Sequence, residues 1–128
     1  MIGTALVDGA PPLVATASGA GMPDMAFKGS VMVFDGDHLA YWERVLATTL
    51  KNLEENPQVC VLYRNAAART AWKLFGVAEL HRDGAVRDQI MAKTIEIELS
   101  RDPERKGVGV LIRVDRVLAM GQEIMRRD

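Results

Sequence analysis

The sequence predicts one mainly β domain, in which six antiparallel strands curl into a small barrel and one long helix packs against them. Three observations lead to this fold class. Short apolar runs rich in β-branched and aromatic residues alternate with Gly, Pro, Asn and Asp along most of the chain. The regular alternation of strands with helices that a parallel sheet requires is missing. One stretch in the C-terminal half instead has apolar residues at helical spacing.

The six predicted strands are the apolar runs between the turn signals. They cover residues 13–17, 25–34, 38–43, 58–64, 70–80 and 108–120. The second and third runs are joined by Asp35-Gly36, a strong short-range hairpin signal. Gly29 lies inside the second run, which is typical of a bulge or of a place where something approaches the backbone closely. Gly76 lies inside the fifth run, as a barrel corner or a bulge requires.

Two helices are predicted between the strands. A short helix follows the third strand: either Thr48 or Thr49 is expected to cap its start through the side-chain hydroxyl, and Pro57 prevents its continuation. A longer helix, over residues 85–100, follows the fifth strand. Its apolar stripe consists of Val86, Ile90, Thr94 and Ile97, with Met91, Ile95 and Leu99 beside it.

Length, charge and residue types limit the function classes. With 128 residues the chain is expected to form a single domain, residues 1–128, without an internal linker. The net charge of −1 and the lack of a long apolar segment predict no nucleic-acid partner, no membrane span and no signal peptide, so a cytoplasmic location is expected. The single cysteine, Cys60, excludes an internal disulfide, and His81 has no acidic or cysteine partner at metal-ligand spacing, so no metal site is expected.

The start of the short helix is a candidate anion site. A hairpin that leads into a helix start places free backbone N–H groups, the hydroxyls of Thr48 and Thr49, and the ammonium of Lys51 near one point. The N–H groups point outward and the helix dipole favours negative charge there, so the arrangement suits a phosphate or carboxylate.

At this point the chain resembles a known family. The order of strand, Asp-Gly turn and polar-ended strand is followed by Asn52-Leu53-x-x-Asn56-Pro57-x-Val59. This order is similar to that of the FMN-binding split barrels related to pyridoxamine 5′-phosphate oxidase. The later run Phe75-Gly76-Val77-Ala78-Glu79 matches the strand that these proteins place after a variable loop. The resemblance is closest over residues 13–80 and implies a six-stranded antiparallel split barrel that forms a homodimer, with two FMN sites at the subunit interface.

The resemblance also implies which residues contact FMN. Lys28, Gly29, Ser30 and Val31 fall on the strand that passes the flavin ring and runs towards the phosphate. Trp42, Glu43 and Arg44 fall at the end of the next strand. Thr48, Thr49 and Lys51 fall on the phosphate-binding loop and helix start. Trp72 falls on a strand that, in relatives, reaches the flavin of the neighbouring subunit.

Two departures from the family pattern change what is expected. Many relatives carry Ser-Arg-Lys where this chain has Ala47-Thr48-Thr49, so Lys28, Arg44 and Lys51 would have to supply the positive charge for the phosphate. The chain also stops at residue 128 without the extended C-terminal substrate segment of the true oxidase, so oxidation of vitamin B6 is not expected.

Plainer interpretations stand beside each of these residues. Tryptophans in strands, such as Trp42 and Trp72, are often core or interface anchors. The Glu43-Arg44 pair is a candidate exposed ion pair of little energetic value, and Lys28 a candidate solvated residue.

The leading functional hypothesis is an FMN-dependent oxidoreductase or electron carrier, in which no residue stands out as a catalytic acid or base and the small-molecule substrate or electron donor is not assigned. The alternative is a non-catalytic split-barrel dimer that binds another ligand, such as haem, or has a degenerate flavin site. A third reading, an unrelated small β-barrel, would be a monomer.

Overall fold

A computed structural model describes residues 11–65 and 69–127, and these form one antiparallel β-sheet with three helices beside it. The strands are β1 (Leu13–Ala17), β2 (Pro23–Phe27), β3 (Met32–Val33), β4 (His38–Glu43), β5 (Gln58–Asn65), β6 (Thr70–His81), β7 (Val108–Ala119) and β8 (Gln122–Arg126). The helices are α1 (Thr48–Glu55), α2 (Gly84–Lys93) and α3 (Glu96–Leu99). The predicted mainly β, antiparallel split-barrel class is confirmed, with eight strands in place of six.

The sheet is curled so that its two ends meet. Its strand order is β2-β1-β5-β6-β7-β4-β3, with β8 paired to β7, and every neighbouring pair is antiparallel. The strands at the two ends of this order, β2 and β3, are joined by residues 28–31. We call these four residues the seam, because they connect the two edges of the curled sheet.

The prediction of one continuous strand over residues 25–34 is wrong, because the seam divides this stretch into two strands. Instead β2 ends at Phe27 and β3 begins at Met32. Between them the backbone turns, with the Val31 N–H donating to the Lys28 carbonyl at 3.3 Å. Gly29 lies in this turn, so the glycine marks a break between two strands and not a bulge within one.

The predicted hairpin and the predicted bulge are both confirmed. In the hairpin between β3 and β4, the Asp35 carboxylate accepts the Asp37 N–H at 2.8 Å, and this bond is the main reason why the Asp35 pKa is lowered. In β6 the register shifts between Phe75 and Gly76. A Cβ at Gly76 would overlap the backbone carbonyl of Arg113 on β7, so the bulge requires glycine.

The long predicted helix is two helices. Thr94 (φ −70°, ψ 135°) and Ile95 (φ −63°, ψ 143°) are extended, and this separates α2 from α3. The Thr94 hydroxyl donates to the Ile90 carbonyl at 2.7 Å, a local bond that competes with helix continuation. The break turns α3, so that Ile97 of the predicted apolar stripe is 56% exposed while Glu98 is buried.

The short helix α1 begins and ends close to the prediction, but its predicted cap is wrong. The N-cap residue is Ala47, and no side chain caps the helix start. Thr48 and Thr49 are instead the first two helical residues, and Thr49 is buried. Pro57 follows the helix end, as expected.

Two apolar clusters hold the molecule together. The larger one fills the barrel and includes Val14, Leu39, Tyr41, Val61, Val110 and Ile112. The smaller one, around Ala40, Trp42 and Ile90, packs α2 against the outer face of the sheet. Alternate residues of β4 therefore point into the barrel or under α2. In the described part of the chain, no helix is long and apolar enough to cross a membrane.

The strand β8 was missed in the sequence. It has no clear apolar run, four of its five residues are exposed, and it pairs with the second half of β7. Its partner strand β7, predicted over residues 108–120, is confirmed as Val108–Ala119.

Candidate functional site

One end of the barrel has a depression where the seam meets the end of β4. It brings together six of the predicted site residues: Lys28, Gly29, Ser30, Trp42, Glu43 and Arg44. It adds Phe27, Val45 and Glu98, which were not predicted. We call this the seam depression.

A buried ion pair lies at the seam depression. The Lys28 ammonium is 2.7 Å from Glu43 Oε2, and the two side chains are 11% and 1% exposed. The second carboxylate oxygen, Glu43 Oε1, is buried and makes no hydrogen bond within the described part of the chain. The plain interpretation of Glu43 as an exposed surface acid is therefore wrong.

The surroundings of Glu43 change its protonation. Burial raises the pKa of its carboxyl above the usual value of 4.5, and the Lys28 ammonium opposes this rise only in part. On the same face of β4, Tyr41 is fully buried and its hydroxyl makes no hydrogen bond within the described residues. Burial, and then the charge of Glu43, raise the pKa of Tyr41 well above 10. Tyr41 was not predicted as a polar group of this region, although strand alternation places it on the same face as Glu43.

Ser30 and Trp42 hold the wall of the depression through contacts within the chain. The Ser30 hydroxyl accepts the Trp42 backbone N–H at 3.0 Å and donates to the Trp42 carbonyl at 3.0 Å, so both of its roles are used. The Trp42 indole N–H donates to Asp102 at 2.9 Å, and the Arg87 guanidinium lies 4.7 Å from the centre of the ring. The indole thus anchors β4 to the segment after α3.

Arg44 is the most available cation at the depression. Its guanidinium Nε is 3.9 Å from Glu98 Oε2, at the outer limit of an ion pair. Glu98 also receives a 3.4 Å contact from Arg101. No sequence signal pointed to Glu98, because its burial depends on the break between α2 and α3.

The predicted phosphate-binding residues lie beside the depression and do not line it. Asn52 donates to the Thr16 hydroxyl at 3.0 Å and Glu55 accepts the Gly19 N–H at 3.0 Å, so α1 runs in the same direction as β1. Its start is therefore at the Leu13 end of β1, and Leu13 pairs with Phe27, the residue that precedes the seam. Thr48 and Lys51 are exposed there.

The start of α1 also has the electrostatics of an anion site. It has no acidic residue in its first turn and no side-chain cap, so its first N–H groups and the helix dipole are not offset by a carboxylate. The anion site at the start of α1 stays a prediction.

Val31 and Trp72 do not line the depression. Val31 is 5% exposed and belongs to the barrel core. Trp72 packs against Tyr63, with ring centres 5.8 Å apart. Along β7, Trp72 pairs with Ala119 and Glu43 pairs with Val108. Eleven residues at about 3.3 Å each separate these two positions by roughly 35 Å, so Trp72 does not contribute to the depression of its own chain.

The rim of the depression is apolar, and the depression itself is shallow. Phe27, Val45 and Leu46 are 68%, 49% and 58% exposed. The cavity volume is about 40 Å³, far below the range of about 300–1,000 Å³ that encloses most small-molecule ligands. Among the described residues, no group of three or more His, Cys, Asp or Glu side chains is placed to hold a metal ion.

Comparison with protein families gives one match. The family model described as pyridoxamine 5′-phosphate oxidase matches residues 6–119, which is most of the chain. Among curated proteins, none matches this chain.

Solved structures with the same fold come from several bacteria. The HupZ protein of Group A Streptococcus is 22% identical, with 96% of this chain and 93% of that chain covered and a TM-score of 0.75. General Stress Protein 26 of Bacillus anthracis is 18% identical, with 91% and 88% covered and a TM-score of 0.73. A pyridoxamine 5′-phosphate oxidase-related, FMN-binding protein of Nostoc punctiforme is 11% identical, with 90% and 75% covered and a TM-score of 0.73. At these identities the similarity shows the fold alone.

Proposed function

Because the chain belongs to the pyridoxamine 5′-phosphate oxidase family, we propose that it binds FMN at the seam depression and acts as an FMN-dependent oxidoreductase or electron carrier. The observation that carries this proposal is the meeting, at one end of the barrel, of the Lys28–Glu43 pair and an acid-free helix start. The Lys28–Glu43 pair offers hydrogen bonds to the polar part of the flavin ring, and the start of α1 offers backbone N–H groups to the phosphate. A solved relative described as FMN-binding has the same fold.

The residues at the phosphate end fit FMN, with fewer charges than the family pattern has. Thr48 and Thr49 are neutral, and Lys28 is already neutralised by Glu43. Arg44, whose contact with Glu98 is 3.9 Å long, and the exposed Lys51 are then the cations that meet the phosphate. Bonds from charged donors contribute about 1.5–3 kcal/mol each and neutral ones about 0.5–1.5 kcal/mol, so we expect FMN to bind more weakly than in relatives with a basic loop.

A second copy of the chain completes the site in this proposal. The depression is too shallow to enclose a flavin, and its rim of Phe27, Val45 and Leu46 exposes apolar surface that a partner subunit would cover. Trp72 is too far from the depression of its own chain, so the flavin contact predicted for it belongs to the site of the partner subunit. Light scattering that gives the mass of one chain at micromolar concentration would contradict this homodimer.

The chemistry in this proposal comes from the cofactor, because flavin accepts and gives hydride or single electrons. The role of the chain is to bind the flavin, to orient it and to shield it from water. Lys28 and Glu43 present polar groups in a largely buried setting, Ser30 and Trp42 fix the wall, and the apolar rim excludes water once it is covered. Among the described residues that line the depression, the charged side chains form two pairs, Lys28–Glu43 at 2.7 Å and Arg44–Glu98 at 3.9 Å.

The second candidate function is a non-catalytic dimer with a different ligand or a degenerate flavin site. The observation that favours it is the neutral pair Thr48-Thr49, which leaves Lys51 as the basic side chain in the first turn of α1.

A visible absorbance spectrum separates the two functions. The purified protein is measured before and after FMN is added and the excess removed. A retained flavin band that a nicotinamide donor bleaches supports the oxidoreductase. A colourless protein that retains no FMN supports the second candidate.

A further inference from the structure

Lys28 is a hydrogen-bond donor that is only partly used. An ammonium group has three N–H bonds, and one of them goes to Glu43 Oε2 at 2.7 Å. No other acceptor within the described residues takes the remaining two. The side chain lines the seam depression and is 11% exposed, so a ligand in the depression can approach the ammonium group.

The charge next to Lys28 determines which acceptor fits. Glu43 is 1% exposed, and its carboxylate cancels the charge of Lys28 where water screens little. A phosphate placed against Lys28 would meet the carboxylate directly behind it and be repelled. A neutral carbonyl oxygen accepts the same N–H bond without that repulsion.

We propose that Lys28 binds a carbonyl oxygen on the uncharged ring of the flavin, not the phosphate, and that Glu43 is the positioning residue that makes Lys28 selective in this way. This inference rests on the proposed function. It assigns the phosphate to Arg44, Lys51 and the start of α1. Ring binding and phosphate binding, which the family resemblance places along the one strand that contains Lys28, are then made by different residues.

The test compares FMN with riboflavin, which has the same ring and no phosphate. Both affinities are measured by quenching of flavin fluorescence, for the wild type, Lys28→Met and Lys51→Ala. We expect Lys28→Met to weaken riboflavin by about tenfold or more, as loss of a charge-assisted hydrogen bond would cause, and to weaken FMN at least as much, because Glu43 is left without its cation. We expect Lys51→Ala to weaken FMN and leave riboflavin unchanged.

Glu43→Gln tests the positioning role through ligand preference. It removes the carboxylate behind Lys28, so the preference for FMN over riboflavin is expected to rise several-fold compared with the wild type. The matched control is Glu54→Gln, because Glu54 is an exposed carboxylate paired with Arg82 at 3.0 Å, and it should leave the preference unchanged. A purely structural role for Glu43 would lower both affinities and leave their ratio fixed, which would overturn that part of the proposal.

Each outcome for Lys28 decides between the proposal and an alternative. If Lys28→Met weakens FMN alone, Lys28 binds the phosphate and the inference is wrong. If it changes neither affinity, Lys28 has no ligand role. If the wild type binds neither flavin, the proposed function fails and this inference with it. Should Lys28→Met not fold, the double variant Lys28→Met/Glu43→Gln leaves no buried unpaired charge, and because its local net charge is unchanged it must show equal losses for both flavins.

Discussion

At the scale of single residues, Glu43 is an acid whose folded surroundings disfavour its charge. Burial raises its pKa, and Lys28 offsets this only in part. The folded state therefore keeps the proton to a higher pH than the unfolded chain does. From the linkage between proton binding and folding, the contribution of Glu43 to stability decreases as the pH rises above about 4.5 and through the folded pKa.

The direction of the Glu43 pKa shift predicts how the effect of Glu43→Gln on stability depends on pH. Because glutamine does not titrate, we expect the wild type to lose stability relative to the variant as the pH rises from about 4 to 7. Urea unfolding of both proteins across that range measures the difference. A difference that does not change with pH would show that the pKa of Glu43 is the same in the folded and unfolded chains.

Asp102 is the opposite case among the buried acids. Burial acts to raise its pKa, but the N–H groups of Lys106, Trp42 and Gly107 together outweigh burial and lower the pKa below 3.8. Its Oδ2 accepts the indole N–H of Trp42 at 2.9 Å and the N–H of Gly107 at 2.8 Å. The contribution of the ionised Asp102 carboxylate to stability is present above pH 3.8 and is lost as the pH falls through the pKa of the folded state.

Asp102→Asn should therefore destabilise the protein at neutral pH. An amide keeps one oxygen, but its NH₂ group cannot accept the remaining N–H donors, so we expect a loss of roughly 1–3 kcal/mol in the free energy of unfolding. The loss should shrink as the pH falls below about 4, where the wild type also loses its carboxylate. Chemical unfolding at pH 7 and pH 3 checks both points, and Asp88→Asn on the exposed face of α2 is the control.

At the scale of elements, the accuracy of the sequence predictions depends on whether an element is set by local pattern or by a distant side chain. The hairpin between β3 and β4 was predicted because Asp35 bonds within its own turn. The split of the predicted second strand was not, because it depends on Ser30, which bonds to the backbone of β4 twelve residues away. The break at Thr94 also escaped the apolar periodicity, which continues across it.

The same distinction applies to the candidate site. Lys28, Glu43 and Arg44 were identified through the family resemblance, and the structure places them together at the depression. Their ion-pair partners were not predictable, because the approach of Lys28 to Glu43 and of Glu98 to Arg44 results from the closure of the sheet and the packing of α3.

The bulge in β6 gives a prediction at this scale. An added methyl group at Gly76 would overlap the carbonyl of Arg113, so Gly76→Ala forces β6 and β7 apart. We expect it to lower the free energy of unfolding by roughly 1–3 kcal/mol, as overpacking does. Gly36→Ala is the control, since a Cβ at Gly36 meets no atom within 4 Å. Equal thermal stability of the two variants would contradict the bulge geometry.

At the scale of the whole molecule, the proposed dimer and the proposed cofactor site depend on one surface. Phe27 and Leu46 are exposed apolar residues at the rim of the depression. A charged side chain at either position would be buried without an ion-pair partner in the dimer, and the desolvation of that charge would destabilise the dimer.

Phe27→Asp and Leu46→Asp are therefore expected to shift the protein towards monomers and to weaken FMN binding by about tenfold or more, while the fold of the single chain persists. Light scattering and flavin titration measure the two effects. The control is Ile124→Asp, because Ile124 is 61% exposed on β8 and away from the rim. Dimers that persist with unchanged flavin affinity would place the subunit contact elsewhere.

The seam has a further consequence for hydrogen exchange. In the described sheet neither β2 nor β3 has a second strand partner, and next to β3 the Ser30 side chain bonds to the Trp42 backbone on β4 in place of a backbone ladder bond. Local opening of the barrel wall is easiest where few backbone bonds must break, so the amide hydrogens of residues 28–31 should exchange faster than those of β6 or β7. The proposed ligand contacts these same residues, so its binding is expected to slow the exchange of their amide hydrogens.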